Sequence, residues 1–220
     1  MQLSGSYFVI GTDTDVGKTY IASALLKHFV RLGFKSVGMK PIASGCEVSS
    51  IFDSALANAD IFSLTCASNV EAPLNLISPY RFVPAIAPHI AAEQVGVDME
   101  VALITHAYQQ LTKLAEVVIV EGVGGLFVPI NQKQTLADVA QALNLPIILV
   151  VGMRLGCINH ALLTVAALEQ HGLKLAGWIA NQIDPQFANF EQNLDSLKQR
   201  IAAPCLGVVA WQGELSLELR

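Results

Sequence analysis

Short apolar blocks and segments of helical apolar spacing take turns along almost the whole chain. Tyr7–Gly11, Ser36–Lys40, Val117–Glu121, Ile147–Gly152, Leu175–Asn181 and Cys205–Val209 are brief, mostly apolar runs bounded by Gly, Pro or polar residues. Runs of that kind fit strands buried on both faces of a parallel sheet. Between them, Gly17–Gly33 sets Ile21, Leu25, Leu26 and Phe29 on one helical face, with Gly33 as a C-terminal stop. Asp53–Leu64, Met99–Leu114, Thr135–Leu143, Ile158–His171 and Phe187–Ile201 are the other predicted helices, and Ala67–Gly96, rich in proline, is read as irregular.

Strands alternating with helices predict an α/β fold of right-handed βαβ units, a mostly parallel sheet flanked by helices. A length of 220 residues suits a single domain over 1–220, and the chain shows no repeat, low-complexity tract or linker. Ligands of such sheets bind at the carboxyl ends of the strands. Asp13–Thr19, Lys40–Ser44, Glu121–Gly125, Gly152–Asn159 and Asn181–Asp184 each follow a predicted strand, so they are expected on one rim.

Composition narrows the function classes. Apolar residues make up 53% of the chain, which excludes disorder. A mean hydropathy of +0.50 raises the question of a membrane, but no apolar run approaches the ~20 residues a span requires. Met1–Ser6 has no basic n-region and Tyr7–Ile10 is too short for a signal peptide. Cys46, Cys66, Cys157 and Cys205 are scattered with no C-x-x-C pair, so neither a disulfide framework nor a zinc site is expected, and a cytoplasmic location is. A net charge of −5 argues against a nucleic-acid partner. The histidines show no metal-ligand spacing, and no G-x-S-x-G elbow is present.

The strongest chemical signal is Gly11-Thr-Asp-Thr-Asp-Val-Gly-Lys-Thr19, between a strand and a helix. That is the setting of a P-loop, whose backbone N–H groups wrap phosphate with help from the helix dipole. The usual frame is G-x-x-x-x-G-K-[ST]; here Thr12 holds its first position and Gly11 stands one residue early. In this reading Asp15–Tyr20 contact a nucleotide, Lys18 reaches the β- and γ-phosphates, and Thr19 holds Mg²⁺ through its hydroxyl. Asp13 and Asp15 are odd neighbours for a polyanion; Asp15 reads equally as a turn or capping residue. Glu121, at the tip of a buried strand, resembles a Walker-B carboxylate, and Gly122, Val123 and Gly124 after it leave room for a ligand.

Five segments in order resemble the dethiobiotin synthetase family: Gly11–Thr19, Lys40-Pro-Ile-Ala-Ser-Gly45, Val120-Glu-Gly-Val-Gly-Gly125, Leu155-Gly-Cys-Ile-Asn-His160 and Gly177-Trp-Ile-Ala-Asn181. The resemblance runs from Tyr7 to about Trp211. It implies a P-loop NTPase-type domain that joins 7,8-diaminononanoate and CO₂ with MgATP. One amine takes up CO₂ as a carbamate, a carbamate oxygen attacks the γ-phosphate, and the second amine closes a cyclic urea from the mixed anhydride. It implies Lys40, Lys18 and Thr14 as catalytic residues, although from the residues alone Lys40 reads as a solvated strand-end lysine. Thr14, Lys40 and Ser44 then bind the diamine, while Gly156, Cys157, Ile158 and Asn159 bind its carboxylate from the other subunit of a homodimer. From the residues alone Ser44 is an ordinary loop serine, Cys157 a small buried one, and Gly156–Asn159 a routine helix start. Asn181, Gln182, Val209, Ala210 and Trp211 are placed at the base. The family's magnesium aspartate falls on Asp60 beside Thr19 and Glu121, with Asp53 competing. Glu214 and Glu218 are bare candidates for ribose contacts, and Asn181–Asp184 also resembles a guanine reader with Gln182 in place of its lysine. A nucleotide-switching scaffold is the rival class; it would carry a second loop lysine, absent from Gly11-Thr12-Asp13. A related amidase or ligase would need either a glutamine-hydrolysing domain, which 220 residues do not accommodate, or a different acceptor pocket.

Overall fold

In the computed structural model, which describes residues 5–217, the apolar blocks become strands whose residues are mostly buried. Every residue of β1 (Tyr7–Gly11) is buried. α1 (Lys18–Arg31) and β2 (Ser36–Met39) follow, then β3 (Ile42–Ala43), β4 (Glu47–Ser49), a 3-10 turn (Ser50–Phe52) and β5 (Ala55–Ala57). Next come α2 (Ala59–Ala67), α3 (Leu74–Ile77), β6 (Tyr80–Arg81), α4 (Pro88–Gln94), α5 (Val101–Leu111) and β7 (Val117–Glu121). α6 (Leu136–Leu143), β8 (Ile147–Met153), α7 (Cys157–Gln170), β9 (Leu175–Gln182), α8 (Phe190–Arg200), β10 (Cys205–Val209) and β11 (Ser216–Leu217) complete the order.

The main sheet runs β11-β10-β9-β8-β1-β7-β2. All its pairs are parallel except β10 with β11. Successive side chains of a strand point to opposite faces, and the two cores follow that alternation. Tyr7, Val9, Ile119 and Val150 pack with Ile21, Leu25 and Phe29 of α1. Phe8, Ile10, Val120 and Leu149 pack on the other face with residues of α5 to α8, Ile104, Val139, Leu168 and Leu197 among them. β1 sits between β7 and β8, with Val9 opposite Glu121 and Gly11 opposite Val150. Its carboxyl end therefore opens at the middle of the rim.

Two predicted segments are corrected. Asp53–Leu64 is not one helix: Asp53 and Ser54 take left-handed φ values of 51° and 63°, and Ala55–Ala57 pairs antiparallel with Glu47–Ser49. The helix begins only after Asn58, whose side chain accepts the Ile61 N–H at 3.1 Å. Ala67–Gly96 is not irregular throughout, since it holds α3, β6 and α4. Pro88 opens α4, a position where the missing N–H costs no helical bond. Ile42–Ala43 and Tyr80–Arg81 pair as a small parallel ladder of their own.

α1 and α2 both press on β2. A Cβ added at Gly38 would stand 2.7 Å from Leu64 Cβ and 3.0 Å from Leu26 Cδ1. Gly38→Ala is therefore expected to cost about 1–3 kcal/mol through overpacking. A lowered urea midpoint with the far-UV circular dichroism retained is the predicted result, and an unchanged midpoint would contradict it.

Candidate active site

The phosphate loop is shaped by close approaches that only glycine permits. A Cβ at Gly11 would lie 2.6 Å from Val16 Cγ2 and 2.9 Å from the Asp13 carbonyl oxygen. The glycine one residue ahead of the motif frame thus lets the loop fold back over the end of β1. Thr12, in the frame's first position, donates its N–H to the Val150 carbonyl at 3.0 Å. Asp15 and Gly17 have φ values of 57° and 87°, which curl the loop into α1. Gly17 is constrained twice, because a Cβ there would meet Asn181 Nδ2 at 2.2 Å. That same Asn181 amide donates to the Val16 carbonyl at 2.8 Å and braces the loop from β9.

Lys18 is buried, and its Nζ donates to the Asp13 carbonyl at 2.7 Å. Burial first, and the nearby Lys40 charge second, lower its pKa to about 8. Lys40 follows β2 and is also buried. Its Nζ lies 2.6 Å from Glu121 Oε1, 2.8 Å from Asp60 Oδ2 and 3.2 Å from the Gly122 carbonyl. Burial works against this ammonium, but Glu121 and Asp60 outweigh it and raise its pKa. Burial likewise opposes the Asp60 charge, and Lys40 overcomes it, holding that carboxyl below its ordinary value.

Thr19 Oγ1 lies 2.8 Å from Asp60 Oδ1 and 2.7 Å from Glu121 Oε1. One hydroxyl proton serves one acceptor at a time, and Glu121 Oε2 is buried with no partner. The cluster therefore has more acceptor oxygens than protons to fill them. An all-oxygen set of one hydroxyl and two carboxylates fits Mg²⁺, a hard ion that keeps most of its waters. Among the described residues there is no group of three or more His, Cys, Asp or Glu side chains that could hold a metal ion.

These residues line one cleft of about 850 Å³. Thr14, Asp15, Gly17, Lys18, Thr19, Lys40, Ser44, Asp60, Glu121, Val123 and Gly124 all face it, and Ala85–Pro88, Val128 and Pro129 add an apolar wall. Ser44 Oγ is buried without a partner. Asn58, which also lines the cleft, donates from Nδ2 to the Ser44 carbonyl at 3.1 Å while its Oδ1 caps α2. Sequence reasoning gave Asn58 no role. The signal available for it was an asparagine just before the first helical residue. The wall from Ala85 to Pro88 was missed too, because its segment was read as irregular.

The remaining candidates lie elsewhere on the rim. Gln182 Oε1 accepts the Trp211 N–H at 3.2 Å, and Tyr20 Oη donates to the Gly213 carbonyl at 2.8 Å, so the Val209–Trp211 segment sits on the β9 side of the loop. The Asp184 carboxylate accepts the Gln186 N–H within its own turn. Gly156, Cys157, Ile158 and Asn159 start α7 and do not line the cleft of this chain. Leu155 beside them is 92% exposed. Burial pushes the Cys157 thiol up, which suits a packed residue and not a nucleophile. Asp53 is exposed in the left-handed turn, and it is Asp60 that reaches Thr19 and Lys40. Glu214 is exposed, and Glu218 lies outside the described residues.

The Lys18 ammonium is fully present below its pKa of about 8 and is lost as pH rises through it. A phosphate ligand favours the charged form, so binding takes up protons increasingly from pH 7 to 9. Calorimetric titration with MgATP in buffers of different ionisation enthalpy is expected to show this uptake. Equal heats in all buffers at pH 8.5 would contradict it.

The chain resembles known proteins over nearly its whole length. Residues 5–218 match the family described as AAA domain. A protein of Nitrosospira multiformis is 47% identical over 211 residues, covering 96% of this chain and 90% of that one. One of Aromatoleum aromaticum is 49% identical over 204 residues, covering 93% and 89%. Both are named ATP-dependent dethiobiotin synthetase BioD. Among solved structures, the signal recognition particle receptor FtsY of Elizabethkingia anophelis gives a TM-score of 0.59 at 16% identity, covering 100% of this chain and 63% of its own. The septum site-determining protein MinD of Pyrococcus horikoshii, complexed with Mg-ADP, gives 0.57 at 12%, covering 94% and 82%. At such identities these two speak for the fold alone, a P-loop NTPase-type α/β domain. No helix of the described residues is long and apolar enough to cross a membrane. With identities of 47% and 49% over nearly the whole length, and the phosphate loop, Lys40 and Glu121 on one cleft, the chain belongs to the ATP-dependent dethiobiotin synthetase family, a family of ligases.

Proposed function

We propose that this protein is a cytoplasmic dethiobiotin synthetase of biotin biosynthesis, converting 7,8-diaminononanoate, CO₂ and MgATP into dethiobiotin, ADP and phosphate. The observation that carries the reading is the buried Lys40 ammonium, held at 2.6 Å and 2.8 Å by Glu121 and Asp60 between the phosphate loop and the apolar wall. Phosphoryl transfer calls for positioning and charge neutralisation more than covalent help. Lys18 and the loop N–H groups take the β- and γ-phosphates, and Asp15–Tyr20 with Glu121–Gly124 surround them. Thr19, Asp60 and Glu121 would hold Mg²⁺, which when bound supplies positive charge to the triphosphate. Asn181, Gln182 and Val209–Trp211 form the side toward the base.

Thr14 and Ser44 line the same cleft as Lys40 and suit the diamine end of the substrate. The amine adds to CO₂ and loses a proton, giving a carbamate whose negative oxygen is drawn to Lys40. That oxygen bonds to the γ-phosphorus as the bond to ADP breaks. The second amine then attacks the carbonyl carbon and gives up a proton as the bond to phosphate breaks, so that phosphate leaves with the ring closed. The apolar wall from Ala85 to Pro88 suits an alkyl chain. Its far carboxylate suits the first turn of α7, Gly156–Asn159, from the second copy of a homodimer. The exposure of Leu155 at 92%, just before α7, and of Leu163 at 62%, on it, supports such pairing. Neither nucleic acid nor membrane enters this reading.

Incubation with MgATP, labelled bicarbonate and 7,8-diaminononanoate is expected to yield a labelled cyclic urea and phosphate together. Phosphate release that is the same without the diamine would mark a nucleotide switch and overturn the proposal. Lys40→Ala should lower kcat by about 10²–10³ while MgATP binding, followed by calorimetry, changes little. Retained binding also reports that the variant is folded, and a loss confined to ATP affinity would contradict the role given to Lys40.

A further inference from the structure

A carboxylate in a loop that receives a polyanion requires a physical reason, and Asp13 has one. Its three oxygens are all engaged. Oδ1 accepts the Thr14 N–H at 2.8 Å, the carbonyl accepts Lys18 Nζ at 2.7 Å, and Oδ2 meets Arg154 Nη2 at 2.7 Å. Asp13 is not among the residues that line the cleft, and its Oδ2 is paired with Arg154. Arg154 stands in the link between β8 and α7, and its own carbonyl accepts the Cys157 N–H at 3.0 Å. One residue thus ties the phosphate loop through its side chain to the first turn of α7 through its backbone. A second tie runs from the Gly152 N–H to Thr12 Oγ1 at 3.5 Å.

We propose that Arg154 is a positioning residue for the nucleotide: by neutralising Asp13 it keeps the phosphate loop receptive to a triphosphate. The two side chains are 44% and 43% exposed, so the pair contributes little to folding, as exposed ion pairs do. Its effect falls on a ligand that carries several negative charges in the same loop, whose Lys18 ammonium is bonded to the Asp13 carbonyl at 2.7 Å. Without Arg154 the Asp13 charge repels that ligand, and salt screens the repulsion. The inference rests on a nucleoside triphosphate occupying this loop, as proposed above.

A charge-compensation series tests it. Arg154→Ala is expected to raise KM for MgATP about fivefold at low salt, with kcat within about twofold, the scale of one exposed charge contact. Arg154→Lys should recover most of the loss, and the rise should shrink at high salt. The decisive variant combines Asp13→Asn with Arg154→Ala. The asparagine retains an oxygen for Thr14 and lacks the charge, so KM should return close to the wild-type value. An unchanged KM in Arg154→Ala, or a double variant as impaired as Arg154→Ala alone, would overturn the inference. Failure of the wild-type protein to convert the diamine would count against the proposed function instead, so the two failures are distinct.

Discussion

The site is organised around one buried positive charge. Lys40 has a side chain 5% exposed and Glu121 one 1% exposed, and taking such charges out of water costs several kcal/mol each. The expense is offset only if both ends of the pair arrive in register. The sheet arranges this, since Met39 lies opposite Val120 and Lys40 and Glu121 are the next residues of neighbouring strands. Asp60 joins from α2 and Thr19 from α1, both packed against the same face as β2. Three elements, β2, β7 and α2, thus have to be correctly placed before the ammonium is matched, and α1 holds its two carboxylates through Thr19. Removing one partner of such a pair is costly because the other charge is left stranded.

The phosphate loop obeys a second constraint, one of volume. Gly11 and Gly17 have no room for a methyl group, the one against Val16 and the other against Asn181. Asn181 belongs to β9, two strands away from β1 in the sheet, with β8 between them. Its hydrogen bond to Val16 therefore reaches across the rim and makes the loop's curvature depend on the β8–β9 register. Leu149 opposite Trp178 and Gly152 opposite Asn181 set that register.

Much of this was legible in the residues. Tyr7–Gly11, Val117–Glu121 and Cys205–Val209 match their strands end to end, because a run buried on both faces is apolar throughout and stops where the rim begins. The phosphate loop was legible for the same reason, since its glycines and lysine are required by backbone geometry and charge. The region from Glu47 to Gln94 was not. Its strands are two or three residues long, too short to show a period, and its hairpin turn uses Asp53 and Ser54 in left-handed conformations with no glycine to mark it. The pairing of Arg154 with Asp13 joins positions 141 residues apart, and no local pattern announces it. Gly156–Asn159 followed the predicted strand as expected, yet they do not join the cleft of this chain, for which the strand-end rule alone gives no warning.

Asn58 carries one more implication. Its amide is shared between two tasks, closing the first turn of α2 through Oδ1 and holding the Ser44 carbonyl through Nδ2. Asp60 sits two residues into that helix, and Ser44 is the cleft's unsatisfied hydroxyl. The acidic end of the cavity and the end that lacks a polar partner are thus pinned to a single side chain. Replacing Asn58 would therefore disturb both ends at once.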